Sequence, residues 1–301
     1  MTVTAAVLVI ISAIIHASWN LFSKSQSPTI GFFQLATLGT VFWFSPIFFM
    51  TANLMAKMPL VLWAILLVAG LFQAVYYAGL AGAYARGALS IAYPLARSFP
   101  LLFVTAMTFA VGRGSDLSFL AIFGIMAIVL GAFILPMDSI NDFRFTNYLN
   151  ASCAFAILAA VGTAGYSFVD DIGMNMLNLI PNEAADWMRA FLYLVLECVF
   201  TIFWLHIIML FTPKSTARFR ASWRCLLKPA LLAGLAIGAT YGIILLAMTL
   251  ARNVSYVVGL RQLSIPLGTL MGVFILREKG SFMRFVGVAI LFIGLVLVAV
   301  G

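Results

Sequence analysis

The feature that most restricts this chain is the recurrence of apolar stretches about twenty residues long, running from Val3 to Gly301 with no polar block among them. A helix rises about 1.5 Å per residue, so about 20 apolar residues cross the hydrocarbon core of a bilayer. Short polar punctuation separates ten such stretches, near residues 3–22, 30–52, 60–84, 88–111, 117–136, 150–169, 187–211, 226–250, 254–276 and 282–300. Only 9% of the 301 residues are charged, whereas a soluble domain carries about 25%. No segment is left over for a soluble domain. The apolar runs are continuous, without the alternation of barrel strands, so the spans are helical. The expected fold is therefore an all-α integral membrane protein of ten transmembrane helices, with both termini on one side. No positive residue precedes the first stretch, which leads directly into His16, Trp19 and Asn20. It reads as a retained helix, not a signal peptide.

The net charge of +8 would suggest nucleic acid in a soluble protein. Here the cations sit between apolar helices, and no nucleic-acid partner is expected. The odd-numbered loops hold Lys24, Arg86, Arg144, Lys214, Arg218, Arg220, Arg224, Lys228, Arg277, Lys279 and Arg284, and the even-numbered ones hold Lys57, Arg113, Arg189 and Arg252. By the positive-inside rule this bias puts the odd loops in the cytoplasm and both termini outside, in a bacterial-type inner (plasma) membrane. Cys153, Cys198 and Cys225 have no paired spacing, so they predict neither a disulfide framework nor a metal site.

The halves of the chain resemble one another in order. His16-Ala17-Ser18-Trp19-Asn20 parallels Thr163-Ala164-Gly165-Tyr166-Ser167, and Ala85-Arg86 parallels Ala251-Arg252. Each Ala-Arg pair is followed by a serine, Ser90 or Ser255, then by an arginine inside a span, Arg97 or Arg261, then by Pro100 or Pro266. Gly124 with Gly131, and Gly287 with Gly294, are spaced by seven, on one face of a helix. Residues 1–140 and 141–301 thus read as two five-helix repeats of one membrane domain. An odd number of spans per repeat forces opposite insertion of the two. Inverted repeats of this kind recur in secondary transporters, whose sites lie near the midplane between the halves.

The chain resembles the drug/metabolite transporter superfamily, in particular its ten-helix EamA-type members. The residues that carry this are Ala17-Ser18-Trp19-Asn20, Ala85-Arg86-Gly87-Ala88-Leu89-Ser90 with Tyr93-Pro94-Leu95-Ala96-Arg97, and Leu260-Arg261-Gln262-Leu263-Ser264 leading to Arg277-Glu278-Lys279. The resemblance implies a central cavity lined by spans 1, 3, 4, 6, 8 and 9, with 5 and 10 outside it. It does not imply a substrate. Small multidrug relatives carry a first-helix glutamate that binds protons and cations. No carboxylate lies between Thr2 and Lys24 here.

An ionisable group at the centre of a bilayer costs on the order of 3 kcal/mol on insertion scales, so each needs a partner or a wet cavity. Arg97 and Arg261 lie near mid-depth at related positions. Both could face one cavity and bind a carboxylate or phosphate, or each could pair with Glu197 or helix-end carbonyls. Glu197 is a candidate for proton coupling, for pairing with an arginine, or for a cation. His16 is a second proton-coupling candidate; with Ser12, Trp19 and Asn20 it forms a polar and aromatic stripe. That stripe serves either substrate or an interhelical hydrogen-bond network. Tyr77, Tyr93, Tyr166, Tyr241 and Gln262 complete the expected substrate-binding set, with Gln73, Tyr76 and Ser167 nearby. Pro94, Pro100 and Pro266 mark possible kinks. Asp170, Asp171, Glu183 and Asp186 lack the spacing of a calcium loop and read as a solvated loop between spans 6 and 7.

The expected function is secondary transport, in the export direction, of small organic solutes such as amino acids or anionic metabolites by alternating access. A small-molecule substrate and the bilayer are the expected partners, the protein acting as monomer or homodimer with no cofactor. The alternatives are an integral membrane enzyme or a solute-binding receptor without flux. No phosphate-binding loop, Gly-x-Ser-x-Gly or His-Glu-x-x-His is present, so neither ATP driving nor catalysis is expected.

Overall fold

The computed structural model describes residues 2–23, 29–86, 89–112, 114, 117–134, 137, 139, 150–251, 253–274 and 281–301. Within its helices the side chains of 19–23, 84, 89–95, 97, 213–215, 217, 218, 220–222, 269 and 272–274 lie outside the description. All regular structure among the described residues is helical: α1 (Val3–Ser23), α2 (Ile30–Phe44), α3 (Ile47–Met50), α4 (Ala52–Ala56), α5 (Leu60–Arg86), α6 (Leu89–Ala110), α7 (Phe119–Ile134), α8 (Ala151–Asn178), α9 (Asp186–Leu210), α10 (Pro213–Thr249), α11 (Val254–Arg261), α12 (Ser264–Phe274) and α13 (Phe282–Val300). Among the described residues, five segments are long and apolar enough to cross a membrane: Leu60–Ala83, Ala151–Asn178, Asp186–Leu210, Trp223–Thr249 and Phe282–Val300. The described parts of α1 and α6, Val3–Ser18 and Ser98–Ala110, and the helices Ile30–Phe44 and Phe119–Ile134 are apolar as well.

The molecule is apolar outside and polar within. Phe119, Phe123 and Met126 on α7, and Phe282, Phe292 and Ile293 on α13, are exposed, while His16, Gln34, Gln73, Asp170, Asp171, Glu197, Arg261 and Gln262 are buried. An apolar exterior of that extent has no place in water, and a bilayer is the solvent that suits it.

In lipid, burying apolar side chains gains little, so helices adhere through close backbone approach and interhelical hydrogen bonds. The α7–α13 seam depends on the first of these. A Cβ added to Gly124 would stand 2.6 Å from Gly294 O, one on Gly294 would stand 2.6 Å from Gly124 O, and one on Gly131 would stand 2.7 Å from Gly287 O. The four expected glycines therefore face each other across two antiparallel helices. Elsewhere side chains donate to carbonyls of a neighbouring helix: Ser12 Oγ to Thr240 O (2.9 Å), Thr40 Oγ1 to Gly234 O (2.8 Å), Ser152 Oγ to Ala83 O (2.9 Å) and Trp204 Nε1 to Leu67 O (3.0 Å). These bonds join α1 to α10, α2 to α10, α5 to α8 and α5 to α9.

Helix ends depart from the sequence expectation where proline intervenes. The second stretch, expected to run to residue 52, stops at Phe44 because Pro46 has no N–H for Phe42 O; Ser45 Oγ donates to that carbonyl instead, at 3.0 Å. The ninth stretch, expected to be continuous, breaks into α11 and α12. Pro266 cannot donate to Gln262 O, which accepts from Ile265 N (2.8 Å), and Ser264 Oγ donates to the freed Arg261 O (3.0 Å). Pro94 and Pro100 do not interrupt α6. The basic Lys214–Lys228 segment, expected as a loop, is helical: α10 starts at Pro213, a residue suited to the first turn, and runs unbroken into the span. The boundary expected at residues 140 and 141 lies outside the described residues.

Candidate functional site

The largest correction concerns the sixth stretch. It was expected to end near residue 169, but α8 continues to Asn178, so Asp170 and Asp171 are not in a solvated loop. Asp170 is fully buried and Asp171 is 5% exposed. Asp170 lies eight residues before α8 ends, Tyr241 eight before α10 ends, and Tyr193 and Arg261 seven after α9 and α11 begin. At about 1.5 Å per residue all four lie about 10–12 Å below the same face of the bundle, because the 179–185 and 250–253 connections share that face.

The resulting layer is organised around one carboxylate and one guanidinium. Tyr193 Oη donates to Asp170 Oδ1 at 3.1 Å and Tyr241 Oη donates to Asp170 Oδ2, so both carboxylate oxygens are satisfied by tyrosines from two other helices. A Cβ at Gly173, one turn further along α8, would collide with the Tyr193 ring and hydroxyl. The glycine is what lets that tyrosine reach the aspartate. Arg261, 8% exposed, donates from Nη1 to Tyr166 Oη at 3.3 Å, and its Cζ lies 5.2 Å from the centroid of the Tyr241 ring, a distance at which the ring quadrupole favours the cation. Tyr166 meets Tyr241 edge to face at 5.3 Å and Tyr76 at 5.9 Å. The cation thus sits at the broken end of a helix, walled by aromatic rings.

Several polar atoms within the bundle are unsatisfied. Arg261 Nε, both oxygens of Glu197, Gln262 Oε1, Gln73 Oε1, Ser167 Oγ and Thr163 Oγ1 are buried with no hydrogen-bond partner among the described residues. A buried polar group costs about 1–3 kcal/mol if left unpaired. Glu197 is near enough to Asp170 and Arg261 to feel both charges, yet it accepts no hydrogen bond. An ionised carboxylate held there without a donor is strongly unfavourable, so the position calls for a proton or a cationic group.

The remaining expected residues divide by setting. Tyr166, Tyr241, Arg261 and Gln262 are brought together; Gln262 caps α11, its Nε2 donating to Val258 O at 3.1 Å. Tyr77 sits beside the layer in a packing role, stacked on Phe33 at 4.7 Å and accepting from Gln73 Nε2 at 3.3 Å. His16 is buried on α1. The side chains of Trp19, Asn20, Tyr93 and Arg97 lie outside the described residues. Sequence reading missed Asp170 and Tyr193. The signal for Asp170 was available in the apolar Ile172, Met174, Met176 and Leu177 that continue beyond it at helical spacing.

Arg189 is also not a loop cation. It is buried at the start of α9 and donates to Leu177 O (2.8 Å), Ile180 O (3.1 Å), Ala184 O (3.1 Å) and Asn182 O (2.9 Å). One side chain thereby ties the C-terminal end of α8 to the α8–α9 connection. Beside that connection lies a surface cavity of about 890 Å³ lined by residues that include Asn53, Lys57, Asn182, Glu183 and Met188. None of the expected site residues lines it.

No family model and no curated protein matches this chain. A solved structure described as "Crystal structure of protein" is similar to it with a TM-score of 0.66 and 16% identity, over 100% of this chain and 98% of that one. At that identity the likeness concerns the fold.

Proposed function

We propose that the chain is a secondary transporter of the drug/metabolite type, exporting small organic solutes such as amino acids or anionic metabolites by alternating access. Its ten spans form two inverted units, residues 1–140 and 141–301, in a bacterial-type inner membrane with both termini outside. Assigning α1, α2, α5, α6 and α7 to the first unit and α8, α9, α10, α11 with α12, and α13 to the second pairs the principal contacts. α5 packs on α8 as α10 packs on α1, α2 packs on α10 as α9 packs on α5, and α7 packs on α13. This reciprocity is what a twofold axis in the membrane plane produces, and it supports the repeat.

The observation that carries the transport reading is Arg261: a buried guanidinium whose Nε–H has no partner among the described residues, at the end of a discontinuous helix and within range of Glu197, a carboxylate likewise unpartnered among them. Sites of this construction suit a polar solute that enters and leaves, because the solute completes bonds the protein leaves open. An anionic group on the solute would take the Arg261 N–H bonds, and Glu197 would take a proton or an amino group. Reconstitution into liposomes with labelled amino acids, organic acids and phosphorylated metabolites tests this. We expect saturable flux of at least one of these solutes, reduced about 10- to 100-fold by Arg261→Ala, the loss of a charge-assisted hydrogen bond of about 1.5–3 kcal/mol. Saturable binding without flux would identify a receptor instead, and flux unchanged by Arg261→Ala would remove Arg261 from the site.

A further inference from the structure

Where the polar start of α10 gives way to its apolar part, near Trp223, the helix turns cations away from the protein. Trp223, Arg224 and Lys228 are exposed, while Leu226, Leu227 and Ala230 pack into the core. Arg224 and Lys228 are four residues apart, which stacks them one turn apart on one helix face, about 6 Å from each other. Arg224 Cζ lies 5.6 Å from the centroid of the Trp223 ring, and tryptophan at the end of a span marks the level of the lipid head groups. Lys228 lies five residues past Trp223, about 8 Å by helical rise, so its ammonium reaches back toward the interface along its alkyl stem. The chain offers these cations little locally: no Asp or Glu occurs between Glu197 and Glu278.

We propose that Arg224 and Lys228, beside Trp223, hold the phosphodiester head group of an anionic membrane lipid against α10. One phosphodiester presents two unesterified oxygens, which matches two cationic donors about one helical turn apart. Lys214, Arg218 and Arg220 precede the pair on the same helix and add to the field that concentrates anionic lipid there. The site depends on the chain lying in a membrane and not on its being a transporter.

Purified protein in detergent, titrated with phosphatidylglycerol, phosphatidylcholine or inorganic phosphate and read by thermal unfolding and native mass spectrometry, decides the matter. Phosphatidylglycerol should stabilise and remain bound where the other two do not. Arg224→Gln with Lys228→Gln should weaken phosphatidylglycerol binding about 30-fold, at about 1 kcal/mol per cation. Arg224→Gln alone should weaken it about fivefold, which keeps the test open if the double variant folds poorly. Lys57→Gln, at the other end of the bundle, should change nothing. Equal stabilisation by phosphatidylcholine, an equal response to inorganic phosphate, or full lipid preference in the glutamine variants would each overturn the proposal.

Discussion

The two halves of the chain differ in the charged groups their spans enclose. The first acidic residue in the sequence is Asp116, so the five apolar stretches before residue 140 enclose no carboxylate. Gln73 and Tyr77 on α5 satisfy one another in part, and Tyr77 is absorbed into stacking on Phe33. The second half encloses Asp170, Glu197 and Arg261 with four tyrosine rings around them. The alignment that sets Trp19 against Tyr166 also sets Ser23 against Asp170. The buried carboxylates therefore stand in the second half, while the spans of the first hold His16 and Arg97. The lesson is that two stretches of similar sequence can differ in the charged groups they enclose.

Three substitutions can break or sharpen that contrast. The greatest loss of stability is expected for Asp170→Asn, which leaves one of two buried tyrosine hydroxyls facing an amide N–H₂ instead of an acceptor; thermal unfolding in detergent should report about 1–3 kcal/mol. An unchanged melting temperature would mean that the tyrosines do not depend on the aspartate. In the first half, Gln73→Leu removes one hydrogen bond but also one unpartnered oxygen, and the same measurement should report about 1 kcal/mol or less. A cost equal to that of Asp170→Asn would erase the difference between the halves. The smallest stability effect is expected for Glu197→Gln, about 0.5 kcal/mol at most, since neither oxygen has a hydrogen-bond partner among the described residues. Its effect belongs in function instead: if Glu197 carries the coupling proton, flux measured across a pH series should become flat in this variant. A pH profile identical to that of the parent protein would take the role away from Glu197.

Much of the helical framework was legible. The apolar stretches near 60–84, 88–111, 187–211 and 282–300 correspond within two residues to α5, α6, α9 and α13, because a segment that must satisfy its backbone in lipid has little freedom except to be a helix. Gly124, Gly131, Gly287 and Gly294 were legible as a seam for the same reason, since small residues at sevenfold spacing are what close helix approach requires. Asp170 was misread because two adjacent acids look like the end of a span when a span is assumed to be about 20 residues long. α8 is 28 residues long, and Asp170 is tolerated within it by tyrosines contributed from residues 23 and 71 positions away.

The sequence by itself determined that the chain is helical, that it is apolar outside, and that Arg261 stands beside a proline able to break its helix. Those properties follow from composition, periodicity and covalent chemistry, which are local. Which polar groups meet was decided by tertiary structure alone. Asp170 finds Tyr193 and Tyr241, Arg261 finds Tyr166, and Glu197 finds no donor among the described residues, since each outcome depends on the rotation of one helix against others distant in the chain. A turn of a few tens of degrees about a helix axis would exchange a bonded group for an orphaned one without altering a single residue.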